Sequence, residues 1–241
     1  MINDAVAFVN NSALFEFTND SATFQAAVQA ALDDSASRLV PTRYPEVVQG
    51  YKAVYNLTAQ IMDQTAQMEL LLSVISPGTV SIQAALQHPF RYTVHSLALY
   101  TKKLTEILMD FSRGRLYINT SNPLDPIVVD PQYYSHFAGK PPTIHGHFPL
   151  IDYGIDVVMM REGVKLARNV GVAFRTTLGV ETTPGPYVQT DQQIEAWLRE
   201  SGASTQYHPA SSCSMLPKEL GGVVNANLQV HGTGELSFGS S

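Results

Sequence analysis

The chain carries near its C-terminus the stretch Tyr207-His208-Pro209-Ala210-Ser211-Ser212-Cys213-Ser214-Met215, followed by Gly221-Gly222-Val223-Val224-Asn225 and Val230-His231-Gly232. A histidine before a proline, a cysteine and a methionine, a paired-glycine turn and a short apolar strand follow one another in a fixed order. Chance is a poor explanation for so many residue types in one order. The rest of the chain is therefore interpreted outward from this block.

Three shorter motifs precede the block: Phe111-Ser112-Arg113-Gly114-Arg115-Leu116, Asp130-Pro131-Gln132-Tyr133-Tyr134 and Met160-Arg161-Glu162-Gly163. Together with it they resemble the C-terminal part of the glucose-methanol-choline (GMC) flavin oxidoreductases, over roughly residues 45 to 236. Tyr117 to Asp125 looks like fungal members of the aryl-alcohol oxidase, glucose oxidase and versicolorin B synthase type. The resemblance implies a single substrate-binding domain over residues 1–241.

Site residues follow from the same resemblance. It implies that His208 is the catalytic base that takes the hydroxyl proton of an alcohol while a hydride passes to the flavin. An imidazole with a pKa near 6.5 suits this role, because it can accept a proton at neutral pH and return it later. The adjacent Tyr207 is expected to line the pocket, and Arg115 or Tyr117 to face the substrate. Without the surrounding block, His208 would be interpreted as an ordinary loop histidine.

The family's flavin-binding elements are not recognisable in this sequence. No Gly-x-Gly-x-x-Gly turn, whose backbone amides would hold the pyrophosphate of FAD, occurs in the 241 residues. Asn225 stands where the family turn has an aspartate, and the final residues, 236–241, do not match the family's Val-Val-Asp-Ala-Ser segment or supply its second catalytic residue. The resemblance thus implies FAD, yet the FAD-binding domain is absent, cofactor-binding residues stay unassigned, and no cofactor is expected on the isolated chain.

Three functions remain open at this stage. The first is the substrate half of a GMC alcohol oxidase or dehydrogenase that needs a partner FAD domain, with a small alcohol as substrate. The second is the corresponding half of a versicolorin B synthase-like cyclase or dehydratase acting on a polyketide-like substrate, in which His208 shuttles a proton without hydride transfer. The third, favoured for the chain as given, is an excised or engineered substrate-binding domain that is not catalytic alone, because hydride transfer needs an acceptor.

Composition bounds the partners and the compartment. A net charge of −6 and a pI near 5.6 provide no basic surface, so neither nucleic acid nor an anionic membrane is an expected partner. The longest apolar run, Leu70–Ile75, is too short to span a bilayer. No signal peptide is expected at Met1-Ile2-Asn3-Asp4. The parent is nevertheless predicted to be secreted, because four Asn-x-Ser/Thr sites occur, although chance polar loops would also produce them. They begin at Asn10, Asn19, Asn56 and Asn119.

Hydrophobic periodicity predicts helices over 21–39, with Ser21 as the cap, from about Pro45 onward, and over Asp156–Val170. Thr190-Asp191-Gln192-Gln193 predicts a capping box for a short helix that carries Trp197 in the core. In the third long helix, the side chains expected on the solvated or sheet-capping side are Arg161, Glu162 and Arg168. Cys213, the sole cysteine, is expected to be a small buried packing residue.

Two strands, Gln67–Ile75 and Thr79–His88, are predicted to pair across the turn Ser76-Pro77-Gly78, and a further strand is predicted over Gly114–Thr120. The expected fold class is α+β, a mostly antiparallel sheet of about six strands with helices packed on one face.

Residues 91–110 and 139–154 look like inserted or rebuilt segments. An apolar stripe predicts a helix over Arg91–Asp110, and we expect both segments to cover a surface that the flavin domain would otherwise occupy. His145 and His147, with His136 nearby, raise the question of a metal site. No metal is predicted, because these histidines lack a carboxylate or thiolate at a defined spacing.

Overall fold

The structure of the chain is a computed structural model. It describes residues 5–76, 79–88, 91–92, 95–99, 111–136, 154–173, 181–202, 212–234 and 236–237, with only the backbone described for 73–81 and 83–99. The sequence-based predictions for His208, Tyr207, His145 and His147 fall outside these residues.

The N-terminal third of the chain is mostly helical. After strand β1, four helices follow: β1 Ala5–Val9, α1 Asn11–Leu14, α2 Ser21–Ala30, α3 Leu32–Leu39 and α4 Pro45–Ile61. Helix α4 begins with Pro45 in its first turn, as the sequence predicts.

The single helix predicted over 21–39 is wrong, because it is broken at Ala31. That residue ends α2 and precedes α3, with φ −81° and ψ −3°. Ser21 is not the cap, since Asp20 precedes α2. The hydroxyl of Ser21 instead donates to the carboxylate of Asp63 at 3.1 Å. A tertiary contact thus outcompetes local capping.

The central sheet contains five antiparallel strands. Its first hairpin joins β2 (Met68–Ser76) to β3 (Thr79–His88), which confirms the pair predicted from the turn tripeptide. Strand β1 pairs with the outer edge of β2. The other edge of β3 pairs with β4 (Arg91–Tyr92) and β5 (His95–Leu99).

Strands β4 and β5 overturn the start of the helix predicted over Arg91–Asp110. The register of β5 on β3 runs from Val80↔Leu99 to Ala84↔His95. Leu97 and Leu99 also fit a period of two, so a short apolar run could satisfy either pattern. Pairing with the edge of β3 decides in favour of the strand. Residues 100–110 of the predicted helix lie outside the described part of the chain.

A separate two-stranded hairpin is formed by β6 (Arg115–Tyr117) and β7 (Val128–Asp130). Leu116 lies opposite Val129, and Arg115 lies opposite Asp130. The mixture of helices and antiparallel strands agrees with the predicted α+β class. The described strands nevertheless form two sheets, so a single sheet of about six strands is not confirmed.

Helix α5 (Ile155–Ala173) packs against β3 and β5 of the central sheet and contributes many side chains to the core. Every residue of its first half, from Ile155 to Val164, is buried. The core around it contains side chains from α1, α2, α4, β2 and β3. Helix α6 (Asp191–Trp197) packs on α5 and continues into a π-helical turn over Leu198–Gly202.

Candidate functional site

The sequence-predicted substrate residues Arg115 and Tyr117 lie in strand β6. Tyr117 is half exposed, and the guanidinium of Arg115 donates to the carboxylate of Asp130 at 3.1 Å. The pKa of Asp130 is lowered, chiefly by a hydrogen bond from the side chain of Gln132 and secondarily by Arg115. The β6–β7 hairpin thus presents these residues on its surface. The structure leaves their distance from His208 and Tyr207 undescribed.

The described part of the C-terminal block, from residue 212 onward, packs against helix α4. Gly221 has φ +69°, a backbone conformation that favours glycine, and a side chain on it would overlap the backbone of Val47. A side chain on Gly50 of α4 would overlap the carbonyl oxygen of Leu220. Gly221 in the block and Gly50 in α4 therefore permit a close approach between the two segments.

Beyond this turn, Val224 and Val230 form an antiparallel bridge. Asn225 closes the loop between them by accepting the backbone N–H groups of Asn227 at 2.9 Å and Gln229 at 3.1 Å. The asparagine oxygen thus provides the acceptor that a carboxylate would also supply at this position. Cys213 is exposed, so its predicted burial is wrong. Its position in a surface loop, rather than its apolar character, decides its environment.

Helix α5 is joined to α6 by an ion-pair network in the interior. Arg161 and Glu162 are each 3% exposed and Glu195 is 1% exposed. Of the two positions predicted for Arg161 and Glu162, solvated or sheet-capping, the solvated one is therefore wrong. Arg161 Nη1 donates to Glu195 Oε1 at 2.5 Å, and Arg161 Nε donates to Glu162 Oε1 at 2.8 Å. Burial raises the pKa of Glu195, and Arg161 opposes that effect. The charges are tolerated because each has a close partner of opposite sign.

This network extends to the half-exposed rim of the two helices. Lys165 donates to Glu162 at 3.0 Å and bridges to Asp191 at 2.8 Å. A few residues on, Arg168 contacts both carboxylate oxygens of Glu181. Helix α6 begins with the predicted capping box of Thr190 and Gln193. The network fixes α6 and its π-helical turn, and Gly202 at the end of that turn is the last described residue before the segment that contains His208.

A second buried network lies at the first turn of α5. Asp156 is fully buried and accepts the backbone N–H of Phe111 at 2.6 Å, the backbone N–H of Ser112 at 3.1 Å and the Ser112 hydroxyl at 2.7 Å. Burial raises the pKa of Asp156 to about 6, although these hydrogen bonds and Arg113 act in the opposite direction. The carboxyl group anchors the entry to the β6–β7 hairpin on the core.

His136 belongs to the same network. Its backbone N–H donates to the Ser112 hydroxyl at 2.9 Å, and its Nε2 lies 2.5 Å from Ser35 Oγ. The Ser35 hydroxyl donates to the carbonyl of Ala31 at 2.6 Å, so Nε2 is the protonated nitrogen and donates to Ser35. The other nitrogen, Nδ1, is buried with no hydrogen-bond partner among the described residues. Burial lowers the pKa of His136 to about 4.

His136 is thus a neutral core residue, which bears on the metal question that the sequence raised. Its Nε2 is engaged by Ser35. Within the described ranges, the structure contains no group of three or more His, Cys, Asp or Glu side chains arranged to hold a metal ion.

A small cavity that the sequence does not predict lies beside the π-helical turn. Its volume is about 210 Å³, and its walls are Tyr133, Tyr134, Leu198 and Arg199. The guanidinium of Arg199 lies over the ring of Tyr134, 5.8 Å from its centroid. The sequence signal for it is the paired tyrosine in the motif Asp130-Pro131-Gln132-Tyr133-Tyr134, which by itself indicates family resemblance and not a pocket.

Comparison with known proteins identifies what the chain is similar to. A family model described as GMC oxidoreductase matches residues 110–238. A GMC oxidoreductase family protein of Malassezia sympodialis, Mala s 12, is 31% identical over 239 residues, which covers 98% of this chain and 31% of that protein. A glucose oxidase of Aspergillus carbonarius is 30% identical over 134 residues, covering 54% of this chain and 19% of the enzyme.

A solved structure agrees with the fold. An FAD-dependent oxidoreductase from Chaetomium thermophilum superposes with a TM-score of 0.61 at 23% sequence identity, covering 94% of this chain and 32% of that one. The chain therefore spans about a third of the length of the Malassezia and Chaetomium proteins.

Proposed function

The chain belongs to the GMC oxidoreductase family, and from this premise we propose that it is the substrate-binding portion of an FAD-dependent oxidoreductase acting on a small alcohol. The observation that carries the proposal is the family match over residues 110–238, which includes the whole His208 block. The names of several relatives, among them an alcohol dehydrogenase of Pseudomonas putida and glucose oxidases, favour oxidation of a hydroxyl group over cyclisation.

In the proposed enzyme, His208 accepts the proton of the substrate hydroxyl. Tyr207 forms part of the pocket wall, and Arg115 and Tyr117 contact the substrate from the β6–β7 hairpin. The acid–base role needs a side chain that titrates near neutrality, and histidine meets that need.

The described residues do not fit an FAD-binding fold. All their strand pairs are antiparallel, whereas a dinucleotide is held at the glycine-rich turn of a parallel βαβ unit. Bound flavin would supply the hydride acceptor, and we place its binding domain outside this chain. Consequently, the chain by itself is expected to bind no flavin and to oxidise no alcohol.

An exposed apolar face supports the need for a further domain. Leu116, Ile118 and Val129 of the β6–β7 hairpin are each more than half exposed. Surfaces of this kind are normally covered by another domain or partner. We propose that the FAD domain, in the same polypeptide or in a separate chain, is that partner.

No helix among the described residues is long and apolar enough to cross a membrane. The asparagines of three Asn-x-Ser/Thr sites, at 19, 56 and 119, are exposed, which is compatible with a secreted parent.

The test is a chimera in which this chain replaces the matching third of the Malassezia protein. The purified chimera should show flavin absorbance, and anaerobic addition of an alcohol that it oxidises should bleach that absorbance. His208→Asn should retain the flavin and lose the bleaching by at least about 100-fold in rate, since general base catalysis contributes on that scale.

The matched control is His231→Gln, since His231 lies in the same block and its ring Nε2 lies 3.0 Å from the carbonyl oxygen of Leu216. Glutamine can keep this hydrogen bond, so bleaching should continue. A chimera that binds flavin but whose His208→Asn variant still reduces it normally would refute the assignment of the base. If the chimera instead formed a cyclised, dehydrated product without reducing its flavin, the versicolorin B synthase-like function would be favoured over alcohol oxidation.

A further inference from the structure

The cavity beside the π-helical turn has the size of a one-ring molecule. An apolar protein cavity of about 150 Å³ is known to accommodate benzene, and the cavity formed by Tyr133, Tyr134, Leu198 and Arg199 measures about 210 Å³. It is smaller than the pockets of about 300 to 1,000 Å³ that hold drug-sized ligands. A benzene ring with one small substituent is therefore the largest class of ligand that it fits well.

Two aromatic rings and one aliphatic side chain provide the walls for such a ring. Leu198 is 1% exposed and Tyr134 is 5% exposed, so the interior side of the cavity is held in the core, whereas Tyr133 stays accessible at its mouth. Aromatic walls favour an offset or edge-on aromatic guest. The two rings and Leu198 account for an aromatic guest, but not for any charge that the guest carries.

Arg199 supplies that charge. In the described part of the chain its guanidinium contacts the face of Tyr134 and forms no ion pair or hydrogen bond with a carboxylate. The acids nearest to it in sequence are Glu200, the next residue of the turn, and Glu195, one turn earlier. Neither forms an ion pair with Arg199 in the described part of the chain; the carboxylate of Glu195 is engaged by Arg161 at 2.5 Å, and Arg199 acts on it only at longer range by lowering its pKa. The fork of N–H donors on Arg199 is thus available for a planar anion, and a carboxylate matches it in two parallel hydrogen bonds.

The position of Arg199 depends on the π-helical turn. Gly202 closes that turn against the ring of Trp197, where a side chain on Gly202 would overlap the indole. Wider turns of this kind occur frequently at functional sites, because they move a side chain off the regular face of the helix. Arg199, which contacts the ring of Tyr134, lies within this turn.

We propose that this cavity binds a small aromatic carboxylate, with the ring between Tyr133 and the Tyr134–Leu198 wall and the carboxylate paired with Arg199. The site depends neither on flavin nor on His208, so it goes beyond the proposed function and stands or falls separately from it. Its test uses the chain alone.

The experiment is a titration of the chain with 4-fluorobenzoate followed by fluorine NMR. We expect saturable binding with a Kd of about 1 mM, ordinary for a ligand of this size. Arg199→Gln should weaken it at least tenfold, and Arg199→Lys should weaken it less. Arg38→Gln is the matched control, because Arg38 is an exposed helical arginine paired with Asp34 at 2.9 Å and should leave the Kd unchanged. Unchanged circular dichroism would show that each variant is folded.

Two competitors separate the ring from the charge on the unaltered protein, and they keep the proposal testable even if a variant fails to fold. Benzoate should displace 4-fluorobenzoate, whereas benzyl alcohol and acetate should each require at least tenfold higher concentration. Equal displacement by benzyl alcohol would refute the role of Arg199, and equal displacement by acetate would refute the aromatic walls. Absence of saturation at 20 mM, on the order of twentyfold above that Kd, would refute the site.

Discussion

Asp156 and His136 are joined through one hydroxyl group: Ser112 donates to the carboxylate of Asp156 at 2.7 Å and accepts the backbone N–H of His136 at 2.9 Å. Both residues are fully buried, and burial moves their pKa values towards each other's ordinary range. The carboxyl is raised to about 6 and the imidazole is lowered to about 4. Their effects on the pH dependence of stability therefore oppose each other.

For Asp156→Asn, we expect the free energy of unfolding to fall as the pH is lowered from 6.5 to 4. The remaining group, His136, has a folded-state pKa of about 4, so the unfolded chain takes up a proton near pH 6.5 before the folded chain does. This difference favours unfolding by about 2 to 3 kcal/mol across that window. Urea unfolding at several pH values measures it. A flat profile in this variant would show that His136 does not stay neutral.

His136→Gln should show the reverse slope. The folded-state pKa of Asp156, about 6, lies above the ordinary value of 3.8, so the folded chain binds a proton first as the pH falls from 6 to 4. The free energy of unfolding therefore rises by about 2 to 3 kcal/mol over this pH range, because protonation removes the cost of burying the ionised carboxylate. The same urea series compares both variants with the parent chain, whose slope should lie between theirs. If the free energy of unfolding changed with pH in the same direction in both variants, the two groups would not have opposite effects on stability.

Removal of the buried cation at position 161 should be strongly destabilising. Arg161→Met leaves the carboxylate of Glu195 buried without its partner and leaves Glu162 with Lys165 alone, and we expect a loss of about 3 to 5 kcal/mol in the free energy of unfolding. The double variant Arg161→Met/Glu195→Gln should lose less than Arg161→Met alone, because the buried charge left without a partner at Glu195 is gone.

The control for this prediction is Arg38→Met, an exposed arginine paired with Asp34. Surface pairs of this kind contribute below about 1 kcal/mol. Similar losses for Arg38→Met and Arg161→Met in urea unfolding would argue against the buried network as a stabilising element.

Gly50→Ala should separate helix α4 from the C-terminal block. The new methyl group would overlap the carbonyl oxygen of Leu220, and overpacking of this kind costs about 1 to 3 kcal/mol, more than alanine gains from its helix propensity. Thermal unfolding of Gly50→Ala and Gly234→Ala compares the two positions. A side chain on Gly234 would meet nothing within 4 Å, so its melting temperature should stay within about 2 °C of the parent. An unchanged melting temperature for Gly50→Ala would mean that this contact is not made.

Local chemistry was enough for several elements. The turn Ser76-Pro77-Gly78 between two apolar runs predicted the β2–β3 hairpin, Pro45 predicted the start of α4, and Thr190 with Gln193 predicted the cap of α6. In each case the deciding contacts lie within a few residues of one another. Such features can be recognised without knowing what the segment packs against.

Other predictions failed where a distant segment decides. Leu97 and Leu99 lie in a strand because β3 offers an unpaired edge, and Arg161 is buried because Glu195 approaches it from α6. Ser21 is the first residue of α2 rather than its cap, and its hydroxyl donates to Asp63, which lies 42 residues away in the chain. Periodicity and residue type carry no information on these partners, so sequence reasoning placed the charges on the surface and the apolar run in a helix.

The sequence by itself determined the family, because the order of residues in the His208 block and the motifs before it needs no coordinates to be recognised. It also determined the α+β class through its local periodicities. Only the tertiary structure decided which ionisable groups are buried, which tyrosines meet Arg199, and that Asp156 and His136 share Ser112. These properties depend on distances between segments far apart in the chain, and burial, which sets the pKa of each group, exists only once those segments have packed together.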